Sequence, residues 1–268
     1  MHCYEPRMAE LIQYGVDRGI ATLTLHAPPA NTYSYEMMRE LDRCVLDARM
    51  DESVHAIVVT GHGDKFFCAG ADIRMLNDVT PSFKYCFCLH ANETLARLEN
   101  TPKLVIAALN GHTVGGGLEV ALACDIRLAK KGGGKIGLPE VSLGVLPGTG
   151  GTQRLCRLIG KSKAIELMAS GETFDFDGAE QLGIVNRVLP AEKFMEQVYD
   201  FAAKFTPPNK ASKAVGLIKR AVCSGGEMSL AEGLAFEREL QQQLFMSSDA
   251  KEGIAAYVEK RKASFTGK

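Results

Sequence analysis

Two short apolar runs constrain the fold of this chain most. Residues 55–60 (HAIVVT) and residues 103–109 (KLVIAAL) have the length and composition of strands that are buried on both faces. Residues 36–49 repeat apolar side chains at helical spacing, which predicts an amphipathic helix that covers the sheet. Residues 11–25 predict a hairpin around an Asp-Arg-Gly turn. Strands that alternate with helices predict an α/β fold.

The pattern becomes helical after the proline pair at residues 207–208. Ser229 with Glu232, and Asp249 with Glu252, have the spacing of an N-cap residue and its reciprocal partner. The predicted helices span residues 211–223, 229–246 and 249–262, and the predicted division is a core over residues 1–205 and a helical region over residues 206–268.

Charge and composition exclude several functions. The 268 residues carry 31 basic and 32 acidic side chains and a formal net charge of -1, so no global field attracts nucleic acid or an anionic membrane. No apolar run approaches the roughly 18 residues of a membrane span, and residues 1–10 lack the pattern of a signal or transit peptide. We therefore expect a cytoplasmic protein that binds neither nucleic acid nor membrane.

The eight cysteines show no pattern of chemistry. They include no CxxC pair, and no histidines cluster at the spacing of metal ligands. Most of them stand in apolar segments, as reduced core cysteines do. We therefore expect free thiols and no bound metal.

The most informative segment is residues 110–125 (NGHTVGGGLEVALACD), where a strand leads into three glycines and a short apolar helix. The glycines let backbone N–H groups approach a ligand, and the helix N-terminus adds positive partial charge. A carboxylate in so apolar a helix is costly to bury, which makes Glu119 a functional candidate. The alternative is that Glu119 only complements the helix dipole.

A second segment, residues 137–155 (GLPEVSLGVLPGTGGTQRL), contains one acidic group in an apolar setting. Glu140 is its only ionisable residue before Arg154, and Pro139 fixes the backbone just before it. A Pro-Gly pair further on predicts a turn back toward the site. The alternative is that Glu140 pairs with Arg154 or another cation.

A third segment, residues 65–73 (KFFCAGADI), places Ala69, Gly70 and Ala71 after a predicted strand. Small residues leave backbone N–H groups accessible, so this segment is a candidate for a second oxyanion donor. The alternative is a tight loop without a chemical role.

Together and in this order, the segments FCAGADI, NGHTVGGGLEVALACD and LPEVSLGVLPGTGGTQRL resemble the crotonase superfamily, and within it the enoyl-CoA hydratase/isomerase family. The resemblance extends to SDAKEG and YVEKRK near the C-terminus. It implies a crotonase-like spiral of ββα units and a C-terminal helical trimerisation region, in a homotrimer or a hexamer built as a dimer of trimers. It also implies an acyl-CoA thioester substrate, with coenzyme A as part of that substrate and no separate cofactor.

The resemblance also assigns site residues. It implies that Glu119 and Glu140 are the catalytic carboxylates, and that Ala71 and Gly116 supply the oxyanion-hole N–H groups. Further contacts with the acyl-CoA are implied at Ala69, Asp72, Ile73, Arg74, Leu143, Gly148, Tyr257 and Lys260, with Lys260 reaching the ligand of a neighbouring subunit. The acyl tail is expected to be enclosed by Leu143 and by residues 75–87, interpreted as a loop.

Hydration chemistry suits these groups. Conjugation to a thioester makes the β-carbon electrophilic once the charge developing on the carbonyl oxygen is stabilised, which two N–H donors and a helix dipole do. Water must lose a proton while the α-carbon gains one, so two carboxyl groups on one side suit syn addition. We expect Glu119 to activate the water and Glu140 to exchange the α-proton. Glu119 follows Gly116 by three residues, which places both on one helical face.

Three departures from the family pattern concern the binding pockets. Residues 28–33 read PPANTY where hydratases often carry Lys-Ala-Leu-Asn, so a lysine that contacts CoA is absent. The frequent Gln two residues before the second carboxylate is Leu138 here, and residues 131–135 (KGGGK) hold one additional residue. The acyl pocket is therefore expected to differ in detail.

Other functions known in the family stay open. A double-bond isomerase uses the same oxyanion hole but usually one carboxylate, often the one at Glu140, so the presence of both favours hydration. A branched-chain hydratase of the 3-methylglutaconyl type is a further alternative. RNA-binding relatives use a lysine-rich first helix, whereas residues 36–52 carry three arginines against six acidic groups. A decarboxylase, a dehalogenase or an acyl-CoA hydrolase would usually replace one of the two glutamates. The two intact carboxylates also argue against a catalytically inactive relative, which stays an alternative.

Overall fold

The structure, a computed structural model, describes residues 11–268; the expected absence of a leader peptide concerns residues 1–10, which lie outside the described residues. The strands are Ile12–Asp17 (β1), Ile20–Leu25 (β2), Ala56–Gly61 (β3), Phe66–Cys68 (β4), Leu104–Leu109 (β5), His112–Val114 (β6), Ile126–Lys130 (β7), Lys135–Gly137 (β8), Phe174–Asp175 (β9) and Arg187–Leu189 (β10). The helices are Tyr35–Met50 (α1), Ile73–Asp78 (α2), Pro81–Glu99 (α3), Gly116–Leu122 (α4), Gly151–Ile159 (α5), Lys161–Ser170 (α6), Phe176–Gln181 (α7), Phe194–Ala203 (α8), Ser212–Gly225 (α9), Leu230–Phe245 (α10) and Ser248–Val258 (α11), and Glu140–Leu143 forms a 3₁₀ helix.

The larger sheet has the strand order β1-β2-β3-β5-β7-β10. β1 and β2 pair antiparallel, which confirms the hairpin, and every neighbouring pair from β2 to β10 is parallel. All residues of β3 and β5 are buried, because α1 and α3 pack on one face of the sheet and α8 packs on the other. The predictions of strands buried on both faces and of an amphipathic covering helix are therefore confirmed.

Three strands of a second sheet follow sharp turns at the ends of strands in the first sheet, and we call these turns corners. A short strand follows each of three central strands, so that β3 leads into β4, β5 into β6 and β7 into β8, and the second sheet has the order β4-β6-β8-β9. Helical segments follow these short strands, namely α2, α4 and the 3₁₀ helix. Two strands and a helix thus repeat along the chain, which confirms the predicted crotonase-like spiral of ββα units.

Glycines occupy two of these corners because the backbones approach too closely for a side chain. A Cβ at Gly61 would lie 2.6 Å from Phe67 Cα, and one at Gly111 would lie 2.5 Å from Phe66 N. The two corners direct β4 and β6 into parallel pairing. The segments that follow these strands therefore start side by side.

Residues 75–87 are helical except for residues 79 and 80, rather than a loop. They cover the end of α2 and the beginning of α3, and the hydroxyl of Thr80 caps α3 by accepting from Phe83 N at 3.2 Å. Pro81 occupies the first helical position, where its missing N–H costs no hydrogen bond. The loop interpretation was wrong, because Thr80 and Pro81 together form a helix start signal.

The C-terminal helices form where the sequence predicts them, after the proline pair. Ser229 and Glu232 make the predicted reciprocal capping interaction at the start of α10. The formation of α9, α10 and α11 confirms the helical character of this part of the protein. The division into a core and a helical region, and a role of the helices in trimer formation, stay predictions.

The predicted cap of the last helix is wrong. Ser247, not Asp249, is the N-cap of α11. Asp249 is buried and accepts from Thr266 N at 2.8 Å, because the chain after α11 turns back onto the start of that helix. Glu252 is not its capping partner either, since it pairs with Arg261 at 2.7 Å.

Helix α9 packs on the core through a buried ion pair. Lys219 Nζ lies 2.8 Å from Asp125 Oδ2, and the two side chains are 5% and 14% exposed. Asp125 also accepts from Val105 N at 2.7 Å. Burial raises the pKa of the Asp125 carboxyl, while Lys219 acts in the opposite direction. The pair therefore joins α9 to the strand that leads into the glycine-rich segment.

We expect Lys219→Met to lower the free energy of unfolding by about 3 to 5 kcal/mol, because it leaves the Asp125 carboxylate buried without its counter-ion. Urea denaturation measures the change. Lys213→Met, an exposed position on the same helix, is the matched control and should change stability by about 0.5 kcal/mol or less. Equal effects of the two substitutions would show that the buried pair is not needed to hold α9 on the core.

Candidate active site

Three separate segments meet at the start of α4. A Cβ placed on Gly70 would lie 3.0 Å from Gly116 N, and one placed on Gly115 would lie 3.2 Å from Glu140 Oε1. Gly115 N also donates to Gly137 O at 2.9 Å. The structure therefore brings together the three segments that the sequence singles out.

Glu119 is a buried carboxylate that a distant loop surrounds with donors. The residue is 1% exposed, and all residues of α4 are buried. Its Oε1 accepts from Thr149 N and from Gly151 N, both at 2.7 Å, and its Oε2 accepts from the Thr149 hydroxyl. These three donors offset the cost of removing the carboxylate from water. A role limited to the helix dipole would not require them.

The loop before α5 that supplies these donors is itself held in place. Asn92 Nδ2 donates to Gly148 O at 3.3 Å, and Arg154 Nη1 donates to Thr149 O at 3.3 Å. Gly150 has a φ of 107°, a backbone conformation that favours glycine. Helices α3 and α5 thus fix the carbonyl groups of the loop whose N–H groups bind Glu119.

Glu140 has the opposite environment. Its Oε2 is buried without a hydrogen-bond partner. Burial raises the pKa of its carboxyl to about 7, with a smaller contribution in the same direction from the charge of Glu119. Arg154 pairs with Glu99 at 2.8 Å, so the alternative in which Glu140 pairs with Arg154 is wrong. A carboxyl with a pKa near neutrality can hold or release a proton at physiological pH.

Two backbone N–H groups, those of Ala71 and Gly116, belong to segments that meet at the start of α4. Tyr33 and Ala71 form an isolated β-bridge, in which Tyr33 N donates to Gly70 O and Asp72 N donates to Tyr33 O. The N–H of Ala71 takes no part in these hydrogen bonds. Gly116 is the first residue of α4, where N–H groups have no acceptor within the helix. Such a pair of donors can stabilise an oxygen that gains negative charge.

The other predicted contacts are distributed over several places. Asp72 is the N-cap of α2 and accepts from Arg74 N at 2.9 Å, and Gly148 belongs to the loop that holds Glu119. Tyr257 and Lys260 lie in the exposed C-terminal part of α11 and just beyond it, so the predicted reach of Lys260 to a neighbouring subunit stays a prediction. Ala69 is half-buried after β4, whereas Ile73, Arg74 and Leu143 are exposed.

Sequence reasoning missed two residues of this site. Tyr33 Oη lies 2.8 Å from Thr149 Oγ1, and the Thr149 hydroxyl donates to Glu119. Burial raises the pKa of Tyr33 well above its usual value, and the charge of Glu119 raises it further. Thr149 stands inside the glycine-rich loop, and a hydroxyl among its glycines was the available signal. Nothing in the local sequence indicates that Tyr33 meets this loop.

Across residues 11–268, no group of three or more His, Cys, Asp or Glu side chains is placed to hold a metal ion. The cysteines in this range are free thiols, and Cys3 lies outside it. The expectations of no metal and of no cofactor besides the CoA of the substrate stay predictions.

Known proteins resemble this chain in sequence and in architecture. The family profile described as Enoyl-CoA hydratase/isomerase matches residues 15–268. A probable enoyl-CoA hydratase of Bacillus subtilis is 39% identical over 258 residues, which cover 96% of this chain and 98% of that protein. A short-chain-enoyl-CoA hydratase of Clostridium acetobutylicum is 37% identical over 244 residues, which cover 91% of this chain and 92% of that protein.

Solved structures agree with the sequence comparison. The crystal structure of an enoyl-CoA hydratase from Geobacillus kaustophilus has a TM-score of 0.95 and 45% identity, and the match covers 98% of each chain. That of an enoyl-CoA hydratase from Bacillus anthracis has a TM-score of 0.91 and 32% identity, covering 96% of this chain and 100% of the other. The fold is therefore that of the crotonase superfamily. Within it, this chain belongs to the enoyl-CoA hydratase/isomerase family.

We expect Glu140 to make the stability of the protein depend on pH. The usual pKa of a glutamate carboxyl is 4.5, and in the folded protein the pKa of Glu140 is raised to about 7. At a pH between these two values, the folded protein keeps a proton on Glu140 that the unfolded chain has lost. The folded state then binds more protons than the unfolded state, so this contribution to the free energy of unfolding falls as the pH rises through that window. Because the carboxyl is only partly buried, we expect an effect of about 1 kcal/mol.

Glu140→Gln removes the titrating group and should abolish this contribution. Urea denaturation gives the free energy of unfolding at pH 5 and at pH 8 for the wild type and for the variant. The difference between the two proteins in the change from pH 5 to pH 8 is the contribution of Glu140. Glu192→Gln, an exposed position, is the control and should follow the wild type. If Glu140→Gln follows the wild type as well, the Glu140 carboxyl does not titrate in this range.

Proposed function

We propose that this chain is an enoyl-CoA hydratase, a hydro-lyase that reversibly adds water in syn geometry to a trans-2-enoyl-CoA and forms a 3-hydroxyacyl-CoA. The observation that carries the proposal is the contrast between two neighbouring carboxyl groups. Glu119 accepts three hydrogen bonds, whereas Glu140 has an unpaired oxygen and a pKa raised to about 7. Such a contrast suits one group to accept a proton while the other donates one.

The oxyanion hole acts on the thioester. The N–H groups of Ala71 and Gly116 bind the carbonyl oxygen and stabilise the negative charge that it gains as water adds to the β-carbon. Each such donor is typically worth about 10²- to 10³-fold in rate. The start of α4 adds positive partial charge at the same place.

The two carboxyl groups handle the protons. Glu119 accepts a proton from the attacking water while the water oxygen bonds to the β-carbon. Glu140 gives its proton to the α-carbon, so the product carries the hydroxyl on one carbon and the new hydrogen on the next. Exchange with solvent then returns Glu119 to its ionised form and Glu140 to its protonated form. The same groups act in the opposite sense when the product loses water.

The proposal includes assembly and location. Apolar side chains on α9, α10 and α11 support a homotrimer or a dimer of trimers, because large exposed apolar surfaces commonly mark interfaces. More than half of each of these side chains is exposed: Ile218, Val222, Leu230, Ile254 and Val258. Across residues 11–268 no helix is sufficiently long and apolar to cross a bilayer. A cytoplasmic location and a role in fatty-acid β-oxidation belong to the same proposal.

We expect Glu119→Gln and Glu140→Gln each to lower the kcat of hydration by about 10²- to 10⁴-fold, the contribution typical of a general acid or base. Loss of the enoyl-thioester absorbance measures the rate with short, long and branched substrates. The short substrate is included because a relative is described as a short-chain enzyme. Glu192→Gln is the matched control and should leave the rate unchanged.

The same variants separate the alternatives. If Glu119→Gln hydrates normally while double-bond migration depends on Glu140, the chain is an isomerase. Turnover restricted to branched substrates would indicate the branched-chain hydratase. If the wild type turns over no acyl-CoA of the panel, the hydratase proposal fails, and retarded migration of RNA at moderate salt would then favour the RNA-binding alternative.

A further inference from the structure

A buried chain of hydroxyl groups leads away from Glu119. Tyr33, Thr149 and Glu119 are 3%, 5% and 1% exposed. Thr149 Oγ1 lies 2.8 Å from Tyr33 Oη, and its hydroxyl is within hydrogen-bond distance of Glu119 Oε2. Tyr33 and Thr149 are 116 positions apart in the sequence. The acid–base roles of Glu119 and Glu140 require neither of these two hydroxyl groups.

The direction of this chain follows from the number of protons available. An ionised carboxylate only accepts hydrogen bonds, so the Thr149 hydroxyl donates its single proton to Glu119. The Tyr33 hydroxyl must then be the donor to Thr149 Oγ1, because Thr149 has no second proton to give. Tyr33 is suited to this part, since burial and the charge of Glu119 hold its pKa well above the usual value and keep the phenol protonated.

The donors leave little of the carboxylate unoccupied. Two oxygens provide about four lone-pair positions. Oε1 accepts from Thr149 N and Gly151 N, and Oε2 accepts from the Thr149 hydroxyl. One position remains, on Oε2.

We propose that Thr149 and Tyr33 are positioning residues that fix the rotation of the Glu119 carboxylate and leave one lone pair of Oε2 for the reacting water. This proposal rests on the proposed hydratase function and adds to it the residues that orient its base. The Thr149 hydroxyl orients the carboxylate directly, and the Tyr33 hydroxyl orients that of Thr149.

The ring of Tyr33 has a separate packing role, which determines how the hydroxyl can be tested. A Cβ on Gly116 would overlap both the Tyr33 hydroxyl and the edge of its ring, and the ring also packs against Phe87 with centroids 6.0 Å apart. Tyr33→Phe keeps the contacts of the ring with Gly116 and Phe87 and removes the hydroxyl, including its contact with Gly116. Thr149→Val likewise keeps the branched shape and removes the donor, whereas Thr149→Ser keeps the hydroxyl.

Matched controls exist elsewhere in the chain. Thr94 is buried in α3 with a hydroxyl that has no partner, so Thr94→Val is a buried threonine-to-valine change outside the site. Tyr199 Oη lies 3.1 Å from Thr22 Oγ1, so Tyr199→Phe removes a similar tyrosine–threonine hydrogen bond at a distance from Glu119.

We expect Thr149→Val to lower the kcat of hydration by about 10- to 100-fold, the range of a lost hydrogen bond to a charged group. Tyr33→Phe, one step further away, should lower it by about 3- to 10-fold. KM should stay within about threefold in both, because residues that act through Glu119 change the chemical step rather than substrate binding. Thr149→Ser should recover at least about a third of the wild-type kcat, and Thr94→Val and Tyr199→Phe should match the wild type.

An infrared measurement tests the same hydrogen bonds from Tyr33 through Thr149 to Glu119 without turnover. The difference between wild type and Glu119→Gln isolates the carboxylate stretches of Glu119, and their frequencies report the hydrogen bonds that the carboxylate accepts. We expect Thr149→Val to shift these bands, Tyr33→Phe to shift them less, and the two controls to leave them in place.

Two results would overturn the proposal. The first is a kcat for Thr149→Val within about twofold of the wild type with unshifted carboxylate bands. The second is a protonated-acid band for Glu119 in the wild type at neutral pH, because donation from Tyr33 to Thr149 and from Thr149 to Glu119 requires an ionised Glu119. Failure of the hydratase function is a different outcome, namely a wild type without turnover, and the infrared bands would still decide whether the chain orients Glu119.

Discussion

Burial of the Glu119 carboxylate is the constraint on which the rest of the site depends. A charge in a helix that is buried along its whole length costs several kcal/mol unless donors replace the lost water. The loop before α5 supplies Thr149 N, Gly151 N and the Thr149 hydroxyl. Asn92 and Arg154 hold that loop by its carbonyl groups. The position of the carboxylate is therefore set by α3, α4 and α5 together.

The fold gives the two glutamates different neighbours. Donors surround Glu119, whereas the 3₁₀ helix carries Glu140 to the start of α4, where Oε2 meets no hydrogen-bond partner. Two similar carboxyl groups can then serve as base and acid at the same pH. The N–H groups of Ala71 and Gly116 come from segments that the glycine corners of two ββα units bring together.

Several features could be predicted because they follow from local patterns. Strands β3 and β5, the first hairpin and α1 are visible as apolar runs and spacings, and the Ser229–Glu232 cap has a local signature. The assignment of Asp249 as a cap failed because a returning segment offered its carboxylate the N–H of Thr266. Local spacing cannot register a competitor that lies 17 residues further along the chain.

The sequence by itself determined the alternation of strands and helices, the family, and the identity of Glu119 and Glu140 as candidates, because each depends on residues close together in the chain. Tertiary structure alone decided that Arg154 pairs with Glu99 rather than with Glu140. It also decided that Tyr33 meets Thr149 beside Glu119, across 116 positions of sequence. Hydrogen bonds form between whatever groups the folded backbone brings within about 3 Å of each other, and a distant partner leaves no periodicity in the chain.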